Sequence, residues 1–318
     1  MHCSYAVGYL QTWDEMVWMA SQFAAQVPYL TSYGNHGELA APLLRAAHPL
    51  LFIPSPPSPF SLAPLPESDF PGSPSWQYYG NATDSGGECS IPTATLFPLP
   101  APATHAAPYY SFAAGPVLIV MISSEHDFST GSAQSAWLNS TLAAADRSIT
   151  PFVIVTSHRP MYINSDFGSD VPTGDVNVMR LLQQHVEPIT HAHRVTLMLY
   201  GHNHRLERIS AALAGKVVSA SVPVPAAGAA GGVLHLYNKP GATVHYVAGT
   251  AGAAFSENDC VSGGWTPCPA WSESVVYEHG YLRFTALNAS ALQGEYVASR
   301  NGTVIDTFMI LQDLAAWV

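Results

Sequence analysis

The chain has 318 residues, 48% of them hydrophobic and only 10% charged, a balance of folded globular proteins with core enough for one large domain. Its 22 acidic and 11 basic residues give a net charge of −11, which leaves no basic footprint for nucleic acid or an anionic membrane. No run reaches the roughly 18 apolar residues of a membrane span, and Met1-His2-Cys3 opens no signal-peptide pattern.

Thr12-Trp13-Asp14-Glu15 fits a capping box, and Met16, Met19, Ala20 and Phe23 recur at helical spacing. This predicts a helix over 13–26, ended by Pro28. An apolar run over 27–33 reads as a strand leading into Gly34-Asn35-His36. Between Pro42 and Pro108 lie 15 of the 26 prolines. Proline removes backbone donors, so 42–108 is a surface insert, ordered by Trp76, Tyr78, Tyr79 and Phe97. A buried strand over 117–122, a helix over 133–144, a strand over 151–156, a helix over 176–185 and a strand over 195–200 follow. Their alternation predicts βαβ crossovers and a largely parallel sheet. From about residue 215 the chain turns β-rich, with short runs at 217–218, 233–237, 243–247, 281–287, 295–299 and 303–311. Asn301-Gly302 joins the last two as a hairpin turn. A second, antiparallel or mixed sheet packed on the first would make a two-sheet α/β sandwich.

Three of these apolar runs end in ligand types: Gly34-Asn35-His36, Ser157-His158 and Gly201-His202-Asn203-His204. In open α/β sheets that end of a strand is where ligands bind. Histidine is also abundant, at 14 residues against 11 lysines and arginines together. An amide oxygen from Asn35 with imidazoles from His158 and His202 makes three protein ligands and room for solvent, the open arrangement of a catalytic metal site. His36 stands beside them as a proton donor near neutral or acidic pH. Arg159 is placed to face phosphate or to tie a strand-end carbonyl, and His126 to act as a hydrogen-bonded loop residue or a donor behind the ligands. His191 and His193 read as solvated, and His235, His245 and His279 carry no ligand spacing. Four sequons, at Asn81, Asn139, Asn288 and Asn301, point to a glycosylated protein. Of the three full pairings of Cys3, Cys89, Cys260 and Cys268, the pair Cys260–Cys268 around a Gly-Gly-Trp turn is favoured.

The ordered ligand motifs resemble those of calcineurin-like metallophosphoesterases, and more closely of purple acid phosphatases. Asp84-Ser-Gly-Gly-Glu-Cys89, Ser124-Glu-His-Asp-Phe128, His158-Arg-Pro-Met-Tyr162, Gly201-His-Asn-His-Arg-Leu-Glu-Arg208 and Thr243-Val-His-Tyr-Val247 are similar to segments of the larger plant-type members. The resemblance covers nearly the whole chain, so residues 1–318 are expected to form one catalytic domain of the metallophosphoesterase type. It implies hydrolysis of small phosphomonoesters at acidic to neutral pH, a secreted, vacuolar or cell-surface protein, and a homodimer as one assembly open to it. It also implies a dinuclear centre of trivalent iron with zinc, manganese or divalent iron. By motif, Asn35, His158 and His202 match the ligands of the divalent position, Tyr5 and His204 those of the iron. His36 matches the histidine that contacts phosphate and protonates the leaving group.

The departures bear on activity. The family's Asp-X-Gly motif would lie before Met1, so the sandwich is expected without its N-terminal strands. His2 stands where the bridging aspartate of Gly-Asp-X-X-Tyr belongs, and Gly37 where a glutamate usually follows Asn-His. Hard trivalent iron favours anionic oxygen, so the chain is expected to hold about one divalent metal and to turn over poorly. A catalytically impaired metal- or phosphate-binding homologue and a glycosylated interaction domain are the two alternatives.

Overall fold

The computed structural model describes residues 9–34, 96–104, 106–165, 174–257, 259–261 and 267–317. Tyr5, Asn35, His36, Asn81 and most of the proline-rich stretch lie outside them. Helix α1 spans Tyr9–Ala24. Fourteen strands follow among the described residues: β1 Tyr110–Ala114, β2 Val117–Met121, β3 Phe152–Ser157, β4 Leu197–Tyr200, β5 Leu206–Ile209, β6 Ala211–Leu213, β7 Lys216–Ser219, β8 Val222–Pro225, β9 Val233–Asn238, β10 Val244–Ala248, β11 Ser272–Val276, β12 Gly280–Asn288, β13 Ala291–Ala298 and β14 Val304–Leu311. Helices α2 (Ala133–Ala143), α3 (Asp175–His185) and α4 (Glu187–Ala192) connect β2 to β3 and β3 to β4.

Two sheets carry the fold. The larger has the order β1-β2-β3-β4-β10-β5-β11 and the smaller β12-β13-β14-β9-β8. In the larger sheet β2, β3, β4 and β10 run parallel, and the antiparallel pairs lie at its two ends. The helical crossovers require that parallel centre. Side chains of β3 alternate between two cores. Val153 and Val155 face a cluster with Leu138 and Leu142 of α2 and Val178 and Leu182 of α3. Phe152 and Ile154 face Tyr237, Tyr246, Leu292, Phe308 and Ile310 between the sheets. A strand buried on both faces needs apolar residues at consecutive positions, which is why 152–155 reads as an unbroken run.

The sandwich is as expected, and several of its parts differ. Helix α1 begins at Tyr9, so Thr12 lies inside the helix and not at its cap. Nothing from Tyr9 to Gln11 breaks a helix, and a capping pattern alone does not stop one. The run at 27–33 makes no ladder, although Tyr110 donates its hydroxyl to Thr31 O at 2.6 Å and Tyr33 is buried. Pro28 lacks the donor that pairing would need. The 243–247 run belongs to the first sheet, parallel to β4, and is buried at Val244–Val247. The smaller sheet is mixed, because β14 runs parallel to β9. Asn301-Gly302 does connect the antiparallel β13 and β14, with Gly302 at φ 72. The disulfide joins Cys260 and Cys268 as favoured. Among the described residues no helix is long and apolar enough to cross a membrane.

Candidate functional site

Strands β3 and β4 end side by side, with Ser157 opposite Tyr200 in parallel register. The residues that follow therefore leave the same sheet edge. Gly201 donates its amide to His158 O at 3.0 Å, which closes the two exits against each other. His202 then sits at φ 59, and Asn203 N bonds back to Gly201 O at 2.7 Å. A three-residue turn with positive φ at its centre is rare and strained, of order 1–3 kcal/mol for a residue bearing a Cβ.

The result is a close pair of rings. His202 Nδ1 lies 3.3 Å from His158 Nε2, with ring centroids 5.2 Å apart and the planes near perpendicular at 77°. On its far side His202 Nε2 lies 2.9 Å from Asp175 Oδ1. Asp175 is the first residue of α3, and its other oxygen accepts from Asn203 Nδ2 at 2.9 Å and from Ser165 Oγ at 2.7 Å. Burial pushes the Asp175 carboxyl up, but the bonds and charge from His202, with those from Asn203 and Ser165, outweigh it and hold the group far below the usual carboxylate range. Asp175 is thus held as an ionised acceptor beside His202 Nε2.

Glycines clear the space around His158. A Cβ on Gly34 would lie 2.6 to 2.8 Å from three atoms of that imidazole, closer than side chains pack. A Cβ on Gly201 would make ordinary contact with its Nδ1 at 3.5 Å. Gly34 therefore brings the start of the Gly-Asn-His motif against the His158 ring. On the opposite flank a Cβ on Gly249 would overlap the Asn203 carbonyl, so the 201–205 loop is pressed under the end of β10.

His204 lies on the same loop but is held apart. Its Nδ1 donates to Ala254 O at 2.7 Å and its backbone amide to Ser256 Oγ at 3.0 Å. A carbonyl only accepts, so the neutral ring keeps its lone pair at Nε2. Arg159 is 5% exposed and grips Glu125, with Nε at 3.0 and 3.2 Å from its two oxygens and Nη2 at 3.2 Å. Its guanidinium ties the exit of β3 to the loop after β2 through the Glu125 carboxylate. His126 bonds Ser123 Oγ through Nδ1 at 2.9 Å, in that same buried loop.

The sequence reading passed over Asp175, Asn203 and Gly34 as site residues. A lone aspartate at a helix start has the look of a dipole partner, so only its contact with His202 distinguishes it. Among the described residues no three or more His, Cys, Asp or Glu side chains gather to hold a metal ion. His158 and His202 do fit one as a pair. Two ligand nitrogens at about 2.0–2.1 Å from a tetrahedral ion stand roughly 3.3–3.4 Å apart, the separation found here.

The two-sheet sandwich with ligand types at one edge is the metallophosphoesterase-type fold. Residues 242–307 match the family described as iron/zinc purple acid phosphatase-like protein C. Probable inactive purple acid phosphatase 9 of Arabidopsis thaliana is 31% identical, over 97% of this chain and 42% of that protein. A nucleotide pyrophosphatase/phosphodiesterase of Hordeum vulgare is 27% identical, over 97% of this chain and 70% of that protein. The purple acid phosphatase PPD1 from yellow lupin (Lupinus luteus) seeds superposes with a TM-score of 0.70 at 24% identity, over 99% of this chain and 45% of that one. The chain belongs to the purple acid phosphatase-like family. It spans less than half the length of the Arabidopsis relative.

Proposed function

We propose that this chain is a phosphomonoesterase by descent that keeps one divalent-metal position and turns over slowly. The observation that carries the reading is the 3.3 Å approach of His202 Nδ1 to His158 Nε2 at the shared strand edge. Asn35 follows Gly34, which is packed on the His158 ring, so its amide oxygen is the natural third ligand. An ion held there would polarise a phosphoester and lower the pKa of water. His36 would protonate the leaving oxygen, and His204, with Tyr5, would belong to the second position. There His2 replaces a bridging carboxylate, which removes the anionic oxygen that trivalent iron favours. Relatives whose own names read "probable inactive" agree with slow turnover.

The test is zinc content, the visible spectrum and cleavage of an activated aryl phosphate. About one zinc per chain, no purple absorption and slow hydrolysis are expected. His202→Ala should weaken zinc binding by at least 100-fold. Gly34→Ala, whose methyl would displace the His158 ring, should weaken it by roughly 10-fold or more, as misplaced ligand surroundings do. A wild-type chain that binds no zinc, or one that binds two metals with full turnover, overturns the reading.

We also propose a glycosylated, secreted form. Asn139, Asn288 and Asn301 are all exposed. Asn288 and Asn301 each accept the amide two residues on, from Ser290 at 2.8 Å and Thr303 at 3.1 Å, which places the sequons at surface turns. Expression through a secretory pathway should add sugar at these sites, seen as a mass loss on enzymatic deglycosylation. A secreted product of unmodified mass would refute it.

A further inference from the structure

We infer that Asp175 is the positioning residue of this site: it holds His202 in the Nε2–H tautomer, so that the lone pair of Nδ1 is the one presented toward His158. Three observations carry this. Asp175 Oδ1 lies 2.9 Å from His202 Nε2, on the ring edge away from His158. Its Oδ2 is anchored by two groups that in this arrangement donate, Ser165 Oγ and the Asn203 amide nitrogen. The carboxylate is buried, so solvent does not compete for the contact. The carboxylate thus joins three segments: the stretch after β3, the start of α3 and the 201–204 loop. A ring nitrogen that binds a cation must be unprotonated, and the partner of the other nitrogen decides which one that is.

The substitution Asp175→Asn makes the inference sharp. Ser165 and Asn203 both donate to the Oδ2 position, so the introduced amide should place its oxygen there and turn its NH2 toward His202. Two donors cannot share one hydrogen bond. His202 must then release its Nε2 proton and carry it on Nδ1, the nitrogen that faces His158. The volume and the two anchoring bonds are kept, so folding should be little changed.

The metal arm of the test rests on the function proposed above, and the tautomer arm does not. In metal-free protein with 15N-labelled histidine, long-range 15N–1H spectra distinguish Nδ1–H from Nε2–H, and the signals of His202 are those lost in His202→Gln. The wild type should show Nε2–H and Asp175→Asn should show Nδ1–H. Zinc titration calorimetry should show affinity lower by 10–100-fold in Asp175→Asn, the range for such outer partners. Ser165→Ala, which keeps the carboxylate and its bond from Asn203, should retain Nε2–H. Nδ1–H on His202 in the wild type overturns the inference even if no variant folds. Unchanged tautomer in folded Asp175→Asn also overturns it. Failure of the wild type to bind zinc overturns the metal reading, while the tautomer result decides the role of Asp175.

Discussion

Replacing Arg205 by methionine should destabilise the chain by about 3–5 kcal/mol, the cost of removing one partner from a buried ionic cluster. Arg205 is wholly buried. Its Nε lies 3.3 Å from Glu207 Oε2 and its Nη1 3.7 Å from Asp259 Oδ2, both carboxylates having fully buried side chains. Burial already pushes the Glu207 carboxyl up, and Arg205 is the first of the groups that oppose this. Without the guanidinium both carboxylates would be protonated or left as unpaired charges in the interior. Arg205 also donates to Ser256 O at 3.3 Å and to Asn164 O. These bonds secure the segment that receives the His204 amide and the residue beside Ser165, so the site should loosen with the fold. Urea unfolding and the thermal midpoint measure the loss, expected as a drop of roughly 10 °C. Arg205→Met combined with Glu207→Gln should recover part of it, because one uncompensated carboxylate is then gone. A single-variant loss below about 1 kcal/mol would show that the cluster is not held by Arg205.

Stability should fall as pH drops below about 6.5, and His245 should account for much of the slope. This residue lies on β10 between the rings of Tyr162 and Tyr200, with centroids at 4.6 and 6.0 Å, and its Nδ1 is 2.7 Å from the Tyr200 hydroxyl. Burial lowers its pKa to about 3, against a weaker pull upward from the Ala212 backbone. The unfolded chain, with an ordinary value near 6.5, takes up this proton first. The contribution of His245 is therefore complete above pH ~6.5 and is lost as pH falls toward 3, in all roughly 4–5 kcal/mol. Glu187 works in the opposite sense at the acid end, since burial first of all raises its carboxyl and its protonation favours the folded state. The comparison that isolates His245 is wild type against His245→Gln. Unfolding free energies measured from pH 7 to 4.5 should fall less steeply in the variant, by about 1.4 kcal/mol per pH unit below pH 6. Equal slopes would mean that His245 titrates near its ordinary value.

Much of the fold was legible in local pattern. The runs 152–155 and 197–200 are apolar at successive positions because each strand is covered on both faces, and the helices between them keep helical spacing. The glycine-histidine motifs could be placed at strand ends, since a strand's end is marked by the residues next to it. Which strands become neighbours is decided elsewhere. The 243–247 run looks like the other short β runs, yet it lies beside β4, and the 27–33 run looks like a strand and joins no ladder. Pairing depends on surfaces that distant segments bury together, and no window of sequence contains both.

The site divides in the same way. The sequence by itself determined the ligand types His158, His202 and His204 and the glycines beside them. Tertiary structure alone decided that His158 and His202 meet at 3.3 Å while His204 turns to Ala254, that Arg159 closes on Glu125, and that Asp175 backs His202. Residue type specifies which atoms can donate or accept. Which of them lie within 3 Å depends on segments 27 to 50 positions apart, joined only by the folded chain.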